Sequence, residues 1–230
     1  MRKLRVFSGR VITYANGLTS AIGKSEIMLP LMLTPTGLAS DEQEMKRHHG
    51  GPDRALLQYP PVHYDWWKKR IPEHSARFEP ALFGENLSVA GFDEGDVHIG
   101  DIFSWGEALI QVSQPRSPCY RLDMHLDWPG LALIMQQQAC CGWLYRVLKT
   151  GMVSNDMPFS LAAQGSNISI KEAMFIMFGN EHAAPAHDPV IWRRLMETET
   201  LSESWKQTLA RRLETGAIES WKHRLEIPSA

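Results

Sequence analysis

Cys119 stands in the segment Ser113–Tyr120, SQPRSPCY, directly after a proline and between Arg116 and Arg121. Arginine on either side of a thiol favours the thiolate, the form that attacks electrophiles and ligates metals. A second segment, Lys46 to Leu56 (KRHHGGPDRAL), carries His48 and His49 ahead of Gly50-Gly51. Glycine there lets the backbone approach a ligand closely and expose its N–H groups. Asp53 and Arg54 follow with an acceptor and a forked donor suited to phosphate or carboxylate. The adjacent histidines diverge and no paired cysteine completes a zinc pattern. A third segment, Leu82 to Leu87 (LFGENL), sets Gly84, Glu85 and Asn86 before a strand. Asn86 offers both donors and acceptors, which suits the edge of a heterocycle. Each segment also has a plainer account: a packed cysteine, a Gly-Gly hairpin turn, a turn before a strand.

The elements that must position these residues fall into two regions. From residue 1 to about 163, short apolar runs recur between glycine turns: Leu4 to Phe7, Ser25 to Leu33, Ala55 to Gln58, Glu85 to Val89, Val97 to Ile99, Ile102 to Trp105 and Ala108 to Val112. The last run reads as a buried strand that delivers the cysteine loop from a core. Many short strands at irregular spacing favour an antiparallel sandwich or barrel over a βαβ wind. Helices are expected near Pro60–Lys69 and near Trp128–Val147. Residues 164–230 read as a separate three-helix module. Ser169 and Glu172 form a capping box, Asp188 precedes Pro189 at a first helical position, and Ser202 caps a helix that stops at Gly216. Lys24 and Lys171 are isolated and read as solvated.

A formal net charge of −2 gives no electrostatic case for nucleic acid. The three cysteines include an adjacent pair, Cys140 and Cys141, which reads as core in a helical stretch. An odd count leaves a free thiol and suits a reducing compartment. No signal peptide is seen, and no apolar run approaches the ~20 residues needed to span a bilayer. The expected location is cytoplasmic, with no membrane association. Apolar faces on the C-terminal helices suit a homodimer.

KRHHGGPDRAL, FGENL and GDIFSWGEALIQVSQPRSPCYRL together, in that order, resemble the MOSC family, named for the C-terminal domain of molybdenum cofactor sulfurase. The likeness is nearest to its YiiM branch and covers nearly the whole chain, the three-helix appendage included. The resemblance implies a mainly β fold with helices, a β-barrel binding the molybdenum cofactor, with Cys119 as protein ligand to the metal. It places His49, Gly50, Asp53, Arg54, Gly84, Glu85, Asn86, Arg116 and Ser117 in the cofactor region. It implies reduction of N-hydroxylated bases such as 6-N-hydroxylaminopurine by oxygen-atom abstraction between Mo(IV) and Mo(VI). A soft thiolate suits molybdenum, and arginines and exposed amides suit the cofactor's phosphate. His49 is the candidate proton donor because imidazole titrates near neutrality. Three cysteines cannot furnish the four thiolates of an ordinary iron–sulfur cluster, so electrons are expected from a separate reductase, a flavoprotein. The alternative is a persulfide carrier or cofactor-binding protein without turnover. A thiol hydrolase lacks a nucleophile-elbow or triad signature.

Overall fold

A computed structural model describes residues 3–44 and 50–227. Its strands are β1 (Leu4–Ser8), β2 (Ile12–Thr13), β3 (Thr19–Ser20), β4 (Ser25–Glu26), β5 (Leu31–Thr34), β6 (Gly37–Leu38), β7 (Leu56–Gln58), β8 (Leu87–Val89), β9 (Ile102–Trp105), β10 (Ala108–Pro115), β11 (Trp143–Lys149), β12 (Gly151–Val153) and β13 (Phe159–Ala163). The helices are α1 (Val62–Arg70), α2 (Arg121–Leu126), α3 (Leu131–Gln137), α4 (Ile170–Phe178), α5 (Pro189–Met196), α6 (Glu203–Thr215) and α7 (Lys222–Leu225).

Eight strands form one curled sheet in the order β13-β9-β10-β11-β7-β8-β1-β4, beside a three-stranded sheet β12-β5-β6. The hydrogen-bonded order is open between β13 and β4, so the expected barrel is realised as a half-barrel. Alternation drives the central strand: Ala108, Ile110 and Val112 of β10 are buried, while Leu109 and Gln111 between them are half-buried. Ile110 and Val112, fully buried, contribute about 1.5–3 kcal/mol each. One contiguous core joins the sheet to the helices, running from Val6, Phe103 and Trp143 to Met174, Trp192 and Leu209.

β10 pairs with β9 and β11, and its register with β11 slips between Val112 and Gln114. Ser113 sits at that bulge, a device that re-aims a side chain next to a site. Its Oγ lies 2.5 Å from the Asp53 carbonyl oxygen and 3.0 Å from that of Leu144, and its own carbonyl accepts from the Ser202 amide at 2.9 Å.

Several elements differ from the sequence reading. The helix expected over Trp128–Val147 ends with α3, and the rest is a turn followed by β11. Ala139 and Gly142 adopt positive φ there, which breaks a helix. Cys140 and Cys141 lie in that turn, and they are core residues at 5% and 0% exposure. The run Ser25–Leu33 divides into β4 and β5 around Pro30. Val97–Ile99 forms no strand and bonds instead to the 168–170 segment, with Ile99 N donating to Ile168 O at 3.0 Å. The capping box on α4 forms, Ser169 Oγ accepting from the Glu172 amide at 3.1 Å, and Asp188 caps α5 through the Val190 amide at 2.8 Å. Ser202 makes no side-chain cap on α6. Gly216 closes α6 in the left-handed conformation, as a C-terminal glycine should.

Candidate functional site

The C-terminal end of β10 runs into the loop Arg116–Tyr120, which turns into α2. Cys119 is free and half-buried there, unlike the two buried cysteines. Its carbonyl accepts from the Leu122 amide at 3.0 Å, and the next amide, Tyr120 N, donates to the Arg224 carbonyl of α7 at 2.9 Å. Arg116 is fixed through its amide, 3.0 Å from Gly142 O. Its Nη1 is buried with no hydrogen-bond partner among the described residues. Ser117 is half-buried in the same loop. The second flanking arginine, Arg121, donates to the Thr19 carbonyl and to Glu44 Oε2, the latter at 2.9 Å. It thereby ties the cysteine loop to Glu44, two residues ahead of the histidine segment. His48 and His49 lie outside the described residues.

Gly50 is half-buried and Gly51 exposed, with Gly51 at φ +101°, a conformation natural to glycine. A 3₁₀ turn over Pro52–Arg54 follows. Asp53 is engaged within the chain: its Oδ1 accepts from Arg146 Nη2 at 2.7 Å and from Nε at 2.8 Å. Arg146 in turn donates to Gln111 Oε1 and to the Thr200 carbonyl. Arg54 Nη2 donates to Ser204 Oγ at 3.2 Å, and burial lowers its guanidinium from the usual range. The three-helix module therefore braces this loop from the start of α6.

Glu85 and Asn86 are organisers of the backbone. Glu85 is fully buried and accepts from Tyr64 Oη at 2.5 Å, from the Ala81 amide at 2.7 Å and from the Phe83 amide at 3.2 Å. Burial pushes its carboxyl up, against these hydrogen bonds and the nearby Arg116 charge. Asn86 Oδ1 accepts from the Leu57 amide, and its Nδ2 donates to Phe7 O and to Asp41 Oδ2 at 2.8 Å. The heterocycle edge read from the sequence is replaced by these internal bonds. Gly84, at φ +78°, has Ile22 Cγ1 3.0 Å from where a Cβ would stand.

Lys24 was expected in solvent. Its side chain is only 5% exposed and pairs with an equally buried Asp41. Burial lowers the Lys24 ammonium and Asp41 opposes that shift. Asp41 also accepts from the Gly9 amide at 2.8 Å, so Lys24, Asp41 and Asn86 form one buried chain. Nothing in the spacing around Lys24 announced this.

Sequence reasoning also missed Arg224. Its guanidinium donates to the Pro118 carbonyl and to Gln136 Oε1, and its Cζ lies 4.9 Å from the Phe178 ring centre. Burial lowers Arg224 to about 10, with Cys119, Cys141 and Glu219 acting to raise it. The turn that presents α7 is held by Arg212, whose Nε and Nη2 meet Glu219 at 2.9 and 2.7 Å, and by Trp221 Nε1, 2.9 Å from Glu219 Oε1. Burial disfavours the charged Glu219 carboxylate, but the bonds from Arg212 and Trp221 outweigh it and hold Glu219 below the usual carboxylate range. A depressed carboxylate adds stability above its unfolded pKa, and that stability is lost as pH falls through the folded value. The melting-temperature gap between wild type and Glu219→Gln should therefore be open at neutral pH and close between about pH 5 and pH 3. A gap that stays constant across that window would contradict the assignment.

Among the described residues no group of three or more His, Cys, Asp or Glu is placed to hold a metal ion. The donor set is one accessible thiol, one unpartnered buried guanidinium nitrogen and glycine backbone, which suits a metal arriving with ligands of its own.

A curled sheet whose longest strand feeds a cysteine loop, braced by three helices, defines the class. The chain belongs to the MOSC family: residues 45–160 match the MOSC domain and residues 168–216 match the YiiM-like 3-alpha helix domain. It is 45% identical over 220 residues to Protein YiiM of Escherichia coli K12, covering 96% of each chain. The crystal structure of YiiM from Escherichia coli superposes with a TM-score of 0.82 at 41% identity, covering 98% of both chains. A protein of Gibberella moniliformis named Reductase is 36% identical over 161 residues, which are 69% of this chain and 28% of that one.

Proposed function

We propose that the chain is a molybdenum-cofactor-dependent reductase of N-hydroxylated compounds, 6-N-hydroxylaminopurine and related bases among them, converting N–OH to the amine. The observation that carries this reading is the half-buried Cys119 thiol in a loop whose Arg116 has a buried, unpartnered Nη1. Membership of the MOSC family and the relative named a reductase support it. Cys119 would hold the metal through Sγ. Arg116 Nη1 would donate to an anionic oxygen of the cofactor, and the amides around Gly50 and Gly51 would do the same. When bound, the cofactor supplies a two-electron couple able to take up the hydroxylamine oxygen.

Reduction of N–OH to amine and water consumes two electrons and two protons. His49 is the proposed proton donor on sequence grounds. Lys24, Asp41, Asn86 and Glu85 hold the backbone around the site. Asp53 and Arg54 belong to the brace that fixes the Gly50-Gly51 turn, and Gly84 fits where a side chain would press on Ile22. The substrate and a separate flavoprotein electron donor are the proposed partners, in the cytoplasm. No helix among the described residues is long and apolar enough to cross a membrane.

The test is metal content and turnover of the chain made in a host that produces the cofactor. Near-stoichiometric molybdenum and reduction of 6-N-hydroxylaminopurine with a chemical electron donor are expected. A metal-free chain despite intact cofactor supply, or a loaded chain inert toward every N-hydroxylated base, overturns the reading.

A further inference from the structure

Arg224 lies beyond both matched family segments, which end at residues 160 and 216. Its surroundings are those of a built contact. The guanidinium reaches back to the carbonyl of Pro118, the residue immediately before Cys119, and to Gln136 Oε1. The Arg224 carbonyl receives the amide of Tyr120, the residue immediately after Cys119, at 2.9 Å. The cysteine is thus gripped on both sides by one residue of α7. Phe178 of the three-helix module stacks under the guanidinium, with 4.9 Å from Cζ to the ring centre. The turn that aims α7 is fixed by Arg212, whose side chain is 0% exposed and paired with Glu219. A guanidinium with buried carbonyl and amide-oxygen partners keeps its positive charge, and low local dielectric extends that charge to its neighbours.

We propose that Arg224 is a positioning residue of the thiol site. It fixes the Pro118 carbonyl, and so the direction of Cys119, and it places a half-buried positive charge beside whatever anionic group Cys119 meets. The three-helix module then serves as the frame that delivers this arginine. The inference rests on Cys119 being the functional thiol, and its test does not need the cofactor.

The full chain is produced in a host that cannot make the cofactor, as wild type, Arg224→Met, Arg224→Lys and Lys222→Gln. Cys119 is then titrated at one pH with an anionic aromatic disulfide, 5,5′-dithiobis(2-nitrobenzoate), and with neutral 4,4′-dithiodipyridine. In both reactions the Cys119 thiolate attacks the disulfide, forming a mixed disulfide and releasing one arylthiolate. Cys140 and Cys141, at 5% and 0% exposure, should stay unreactive, so uptake of one equivalent certifies the fold. The ratio of the two rates cancels thiolate fraction and access, and it reports charge at the thiol. Arg224→Met should lower the anionic-to-neutral ratio by about threefold to tenfold. Arg224→Lys should keep the ratio within about twofold of wild type, and exposed Lys222→Gln should leave it unchanged.

Hydrogen exchange of the Tyr120 and Leu122 amides should accelerate in Arg224→Met while β9–β11 amides stay protected. Should Arg224→Met take up three equivalents, Arg224→Gln replaces it. An unchanged ratio in a folded neutral variant, or an equal drop in Lys222→Gln, overturns the proposal. A metal-free wild type from the cofactor-producing host would instead count against the reductase reading alone.

Discussion

Replacing Cys119 by alanine should reduce molybdenum per chain from near stoichiometric to background and lower turnover by at least about 10³-fold, some 4 kcal/mol of transition-state stabilisation. The expectation follows from softness and position. Cys119 is the half-buried thiol of the three, while Cys140 and Cys141 are packed in the core and burial pushes both thiols well up. Serine keeps the shape but offers a hard oxygen that is not deprotonated near neutrality, so Cys119→Ser should also fail to hold the metal. Because Cys119 is only partly covered, either change should alter stability by less than about 1 kcal/mol. The informative control is Cys140→Ala, which should lose about 1–2 kcal/mol through an apolar void and keep its metal. Metal analysis beside urea unfolding separates the cases. Wild-type molybdenum in Cys119→Ala would remove Cys119 as ligand.

Glu85→Ala should be the most damaging single change near the site, lowering stability by about 3–5 kcal/mol. The carboxylate is an acceptor for three donors at once: the Tyr64 hydroxyl and the amides of Ala81 and Phe83. Removing it leaves all three without that acceptor, the Tyr64 hydroxyl and the Phe83 amide in buried surroundings. Ala81 adds to the demand, since it is a non-glycine residue at φ +90°. That conformation persists only where neighbours over-determine it. Glu85→Gln should be nearly as harmful, because an amide NH₂ would face one of the backbone N–H donors. Tyr64→Phe should cost about 1 kcal/mol alone. The double variant should lose less than the sum, since both changes break the same bond. Urea midpoints measure all of these. A Glu85→Ala chain as stable as wild type would show that water replaces the carboxylate.

Motif residues were legible in the sequence as places more than as roles. Cys119, Arg116 and the Gly50-Gly51 turn stand at loops fed by strands, as alternation in β10 and the glycine signals indicate. Donor and acceptor groups beside glycine suggest ligand contacts at Asp53 and Asn86, and the family resemblance adds Glu85 to the cofactor region. The structure shows their atoms consumed by Tyr64, Leu57, Asp41 and Arg146. One chain without its contacts cannot distinguish a carboxylate aimed at a ligand from one aimed at its own backbone. Helices α4 and α5 were readable because their caps are local chemistry, and α6 because its C-terminal glycine is. β11 was hidden because Trp143, Tyr145 and Val147 follow an apolar helix, and the break depends on the backbone at Ala139 and Gly142. Lys24 and Arg224 were invisible for a simpler reason: their partners are remote in the chain.

That remoteness has a consequence for the order of assembly. Arg224 meets Pro118 across 106 residues, and Arg54 meets Ser204 across 150. Contacts of such sequence separation form slowly, because long loops must close before they are rewarded. On the ribosome, β1 to β13 can pair while the cysteine loop still lacks its anchor, because α7 emerges after all of them. The loop therefore passes through an interval in which its mouth is unlatched inside an otherwise finished sheet. The arrival of α7 then fastens the loop, so the grip on either side of Cys119 is set after the sheet rather than with it.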